Sequence, residues 1–89
     1  MLTIVRKSRF KKDFKKLQSS GKNLQKLADV IRMLANEEEL SERNRDLALI
    51  GDYVEHRECH ITPDWLLIDQ TTETELLLVR TGSHSELFG

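Results

Sequence analysis

Three histidines, His56, His60 and His84, all fall in the second half of the chain, and histidine is the side chain that takes or gives a proton near neutral pH. His60 stands in H-I-T-P-D-W, four residues before Asp64 and five before Trp65. His84 stands in the terminal R-T-G-S-H-S-E-L-F-G, between Arg80 and Phe88. Together such groups can move protons, stabilise charge on a phosphate and stack on a nucleobase. That set suits metal-free cleavage of RNA. The ribose 2′-hydroxyl attacks its own neighbouring phosphate, one group removes the hydroxyl proton and another protonates the leaving oxygen. Each proton-transfer group contributes about 10²- to 10⁴-fold.

Blander readings stand beside these. Trp65 opens an apolar run and reads equally well as core. Phe88 could simply pin the C-terminus, and His56 reads as a surface polar residue. Cys59, His60, His84 and a carboxylate could make a zinc set, but neighbouring strand residues 59 and 60 point to opposite faces. No metal and no cofactor is expected.

The elements that must position these residues follow from periodicity. Leu2, Ile4 and Val5 suggest a short first strand. From Ser8, a fair N-cap, the spacing becomes helical, with Phe10, Phe14 and Leu17 inward and Lys11, Lys12, Lys15 and Lys16 around them. S-S-G-K at 19–22 breaks the pattern, and Leu24, Leu27, Ile31 and Leu34 mark a second amphipathic helix. Residues 37–46 have almost nothing to bury and read as a solvated connection. Strands are expected at 53–61, 65–68 and 75–81, joined by short turns into an antiparallel meander. The first strand should join the same sheet, with the helix pair covering one face. The expected class is α+β: an N-terminal strand and helical hairpin packed on a small antiparallel sheet, one domain over 1–89. The end of the last strand can then return near Asp64, Gly82 allowing the bend that delivers His84.

At 89 residues, 38% apolar and 33% charged, the composition is that of an ordinary globular domain. The sequence has neither a long apolar run for a membrane span nor an apolar stretch near Met1 for a signal peptide. One cysteine excludes an internal disulfide and suits a reducing cytoplasm. The net charge of −1 conceals a division: residues 1–36 carry a net +8 and residues 37–89 a net −9. The N-terminal half therefore offers a basic face to a polyanion, although the pI of about 6.3 is not that of a wholly basic nucleic-acid binder.

R-E-C-H-I-T-P-D-W at 57–65, L-L-I at 66–68 and the terminal R-T-G-S-H-S-E-L-F closely resemble the YafQ-like branch of the RelE bacterial toxins, and D-L-A-L-I-G at 46–51 is similar to that branch's D-H-x-L-x-G. The resemblance covers essentially the whole chain. It implies a ribosome-dependent endoribonuclease that cuts mRNA without a metal and is held inactive by an antitoxin, operator DNA being met only through the toxin–antitoxin complex. By motif position His84 resembles the main proton-transfer residue, with His60 and Asp64 as companions. Arg80 matches a phosphate position, Trp65 and Phe88 positions that shape the site, and Lys12 and Lys16 lie on the helices that would face RNA. Two residues depart from the pattern: Leu47 stands where the family commonly has histidine, and Asp69 where tyrosine is common. Asp69 should share a face with Trp65 and would repel RNA if that face were the site. These departures keep open a second reading, a catalytically weakened homologue that binds antitoxin and acts as a co-repressor.

Overall fold

The helical periodicity of the first third becomes two helices, and the alternation after residue 56 becomes strands. The computed structural model describes residues 1–40, 47–48 and 56–89. In chain order the elements are β1 (Thr3–Arg6), α1 (Ser8–Gln18), α2 (Leu24–Ala35), β2 (Leu47–Ala48), β3 (Arg57–Thr62), β4 (Trp65–Thr71), β5 (Glu75–Gly82) and α3 (His84–Phe88). The strands form one sheet in the order β1-β5-β4-β3-β2. The α+β class holds. The sheet is mixed, however: β1 lies parallel to β5, while the other neighbours are antiparallel. The sequence between β1 and β5 supplies the long crossover that a parallel pair requires.

Ser8 is the first helical residue of α1 and does not cap it; Lys7 holds the N-cap position without a side-chain bond. The reason lies in the sheet. The Lys7 amide donates to Leu78 O at 2.9 Å, so the β1–β5 ladder runs directly into the helix and sets where it begins. After α1, Gly21 at φ +78° makes the left-handed turn. Asn23 caps α2 by accepting from the Gln25 amide at 3.1 Å.

Phe10 and Leu17 of α1 and Leu27, Val30 and Ala35 of α2 are buried against Cys59, Trp65, Leu67, Leu76 and Leu78. Among the described residues the other face of the sheet holds a smaller cluster, Leu66, Ile68 and Leu87, with Val79 beside it. β4 is therefore buried on both sides. Asp69 pairs in register with Leu78 and is 1% exposed, which puts it beneath α1 and α2 and away from the α3 face. The expected clash between Asp69 and RNA does not arise from that position.

Beside β1 the helix hairpin leaves an apolar groove of about 680 Å³, lined by residues including Ile4, Phe14, Leu24 and Ile31, with Arg6 and Arg32. The expected connection at 37–46 is described only through Leu40, and 53–55 of the expected strand also fall outside the described residues. Among the described residues no helix is long and apolar enough to cross a membrane.

Candidate active site

Strand register brings the sequence-predicted residues to one end of the sheet. His60 of β3 lies opposite Leu66 of β4, and Leu66 lies opposite Gly82 of β5. Directly opposed residues share a face, and Leu66 belongs to the small cluster with Leu87 of α3. His60 is thus on the α3 side, about two strand spacings, or roughly 10 Å, from Gly82 in backbone terms. Asp64 is exposed in the two-residue turn Pro63–Asp64 between β3 and β4, at the same end. His84 follows two residues after Gly82, as the first residue of α3, and is also exposed.

Local chemistry holds His84 there. Ser83 and Glu86 form a reciprocal capping box: the Glu86 amide donates to Ser83 Oγ at 3.2 Å, and the Ser83 amide donates to Glu86 Oε1 at 2.8 Å. Hydrogen bonding from the Ser83 backbone, then from its hydroxyl, holds the Glu86 carboxyl below its usual pKa, and Lys16 of α1 adds to this. The helix can fold back because residue 82 is glycine; a Cβ there would meet Glu86 Oε1 at 3.1 Å and Leu87 Cδ2 at 3.5 Å. The rings of His84 and Phe88 are in contact, with centroids 5.0 Å apart. Phe88 is 40% exposed.

Two expected substrate contacts, Trp65 and Arg80, lie in enclosed surroundings. Trp65 is only 2% exposed and lies in the helix-side core, so it cannot be a stacking platform. Its indole N–H donates to Thr81 Oγ1 at 3.0 Å, and Lys22 Nζ lies 5.6 Å from its ring centre. Arg80 is engaged by Asp13 of α1: Nε donates to Oδ2 at 2.8 Å and Nη2 to Oδ1 at 3.1 Å. Its charge is matched within the protein, which weakens it as a phosphate ligand. Lys12 and Lys16 are exposed on α1, Lys16 near enough to α3 to act on Glu86.

Leu47 lies opposite Glu58, in a register row with Ile68 and Arg80 adjacent to that of His60. Cys59 is fully buried in the helix-side core, on the face opposite His60. Among the described residues no group of three or more His, Cys, Asp or Glu side chains is placed to hold a metal ion.

Residues 2–89 match the family model of the bacterial toxin of type II toxin–antitoxin system, YafQ. The chain belongs to the YafQ toxin family. It is 36% identical over 81 residues to the mRNA interferase toxin YafQ of Escherichia coli K12, covering 90% of this chain and 88% of that protein. A metal-bound toxin from Helicobacter pylori superposes with a TM-score of 0.93 at 46% identity, covering 99% of this chain and all of that one. The YafQ chain of the E. coli DinJ–YafQ toxin–antitoxin complex superposes with a TM-score of 0.91 at 34% identity, over 99% and 98% of the two chains.

Three features of this YafQ-family site escape a reading of strands and histidines. Helix α3 was signalled by S-x-x-E at 83–86, the sequence form of a capping box. Asp13 was the one acid in a helix of five Lys/Arg, a sign that it faces something other than water. The two-residue β2 is too short for periodicity to reveal.

Proposed function

We propose that this protein is the endoribonuclease toxin of a type II toxin–antitoxin pair, cleaving mRNA on the ribosome by general acid–base catalysis without a metal. The observation that carries the proposal is the gathering of His60, Asp64 and His84 at one end of the sheet, in a chain that belongs to the YafQ family. Its E. coli relative is named an mRNA interferase. In the proposed reaction the 2′-oxygen bonds to phosphorus as its proton passes to the base. The P–O5′ bond breaks as the acid protonates the departing 5′-oxygen. A 2′,3′-cyclic phosphate and a 5′-hydroxyl end result. His84 is the main proton-transfer group, with His60 and Asp64 completing the exchange, and exposed Phe88 holds the His84 ring and offers an edge to a base.

Lys12 and Lys16 extend the site along α1 and supply the salt-sensitive attraction to ribosomal RNA and mRNA. The E. coli relative is found with DinJ. For this chain the matching antitoxin segment is acidic, with apolar anchors that enter the groove beside β1. Operator DNA is reached only through that complex.

Leu47, where the family commonly carries histidine, favours the second reading, an antitoxin-binding homologue without catalysis. Expression without antitoxin separates the two. Growth arrest by wild type, relieved by His84→Ala at equal folded protein, is the expected result. Full tolerance of the wild type would leave the binding module standing instead.

A further inference from the structure

We infer that Asp13 is a positioning residue for the cleavage reaction, a carboxylate on α1 that fixes the strand end from which His84 departs. The inference rests on the endoribonuclease reading above and concerns a residue outside its proton-transfer set.

The need for such a clamp comes from the sheet. β1 covers the edge of β5 only as far as Leu78, after which the chain turns into α1. The β4–β5 register then shifts: Asp69 faces Leu78 but Ile68 faces Arg80, leaving Val79 as the extra residue. A bulged strand that has lost its edge neighbour is free to bend. Asp13 takes the place of the missing strand. Its Oδ2 accepts the Thr81 amide at 3.1 Å, as a backbone carbonyl of β1 would have done, and also accepts Arg80 Nε. Oδ1 completes a fork with Arg80 Nη2. The pair is largely shielded, with side chains 13% and 11% exposed, so its geometry is held in a setting of low dielectric.

From Thr81 the constraint passes to both sides of the site. The Thr81 hydroxyl donates to Leu66 O at 2.8 Å and accepts the Trp65 indole N–H. Trp65 directly follows Asp64, and Thr81 is three residues before His84. One carboxylate thus ties together the backbone that carries Asp64 and the backbone that carries His84. Displacement of reacting groups by about 1 Å can cost 10²-fold in rate, so a loosened strand end is expressed in turnover before it is expressed in folding.

The test is Asp13→Asn, which keeps the side-chain size and one oxygen acceptor but loses the charged fork. Single-turnover cleavage on programmed ribosomes should slow about 10- to 100-fold. The half-saturating ribosome concentration should stay the same or fall, because an acid has been removed from a basic helix. A role confined to stability would not separate rate from binding in this way. Amide exchange should rise at Thr81 and through α3 while Leu67 and Leu76 remain protected. If Asp13→Asn does not fold, Arg80→Lys gives the same readouts: lost positioning lowers the rate, whereas a lost phosphate ligand weakens binding. Unchanged exchange at Thr81 overturns the clamp even if wild type proves inactive. Raised exchange with an unchanged rate, in a protein whose wild type cleaves, overturns the positioning role and leaves the endoribonuclease reading intact.

Discussion

β4 is buried on both faces, yet the two faces are built differently. Trp65, Leu67 and Asp69 lie beneath two helices that contribute Phe10, Leu17, Leu27, Val30 and Ala35. Leu66 and Ile68, on the other side, cluster among the described residues with Leu87 of a five-residue helix, with Val79 beside them. The first face has the apolar area to stabilise a domain. Among the described residues the second holds a smaller cluster that includes Leu87 of α3, and half-buried His60 and exposed Asp64 and His84 lie at its end. Stability and proposed chemistry are therefore carried by opposite sides of the same strand, joined at Thr81 and Asp13.

Truncations on the two sides should separate those properties. Phe10→Ala, on the helix side, should cost about 3–5 kcal/mol of stability, with cleavage per folded molecule retained. Leu87→Ala should cost less, about 2 kcal/mol, since its site can collapse, yet lower cleavage more as α3 releases His84. Denaturant titration and single-turnover cleavage of both variants would check this. Equal losses of activity per folded molecule would erase the division.

A middle-sized effect concerns the basic helix. Lys12→Glu with Lys16→Glu should weaken ribosome binding and flatten its salt dependence, leaving the melting temperature nearly unchanged. Binding that is indifferent to both substitutions at moderate salt would remove α1 from the RNA interface.

The smallest effect is acid sensitivity of α3. The Glu86 pKa is lowered in the folded state from 4.5. Its contribution is therefore fully present above about pH 4.5 and lost as pH falls through the folded value. NMR signals of His84 and Leu87 should broaden or shift in that window while Trp65 fluorescence, reporting the helix side, stays constant. Glu86→Gln should remove that pH dependence. Simultaneous change of both probes would mean the faces do not act separately.

How much was legible follows the same division. The apolar spacing of Phe10, Phe14 and Leu17, and of Leu24, Leu27 and Ile31, announces the helices because they bury one stripe. The apolar run at 65–68 announces a strand, but with both faces buried it cannot say which side bears the site; that is why Trp65 looked available for stacking. The parallel placement of β1 depends on contacts between chain ends, beyond any local pattern. His60, Asp64 and His84 could be named from chemistry and family resemblance, whereas Asp13 acquires meaning only when α1 is laid against the end of β5.

The most direct test of the proposed chemistry is mRNA cleavage on programmed ribosomes by wild type and His84→Ala, each with and without a transition-metal chelator that leaves the ribosome's magnesium in place. Cleavage by wild type alone, unaffected by that chelator and leaving a 2′,3′-cyclic phosphate, is the expected result. Equal cleavage by folded His84→Ala, or loss of wild-type cleavage in the chelator with ribosomes intact, would contradict it.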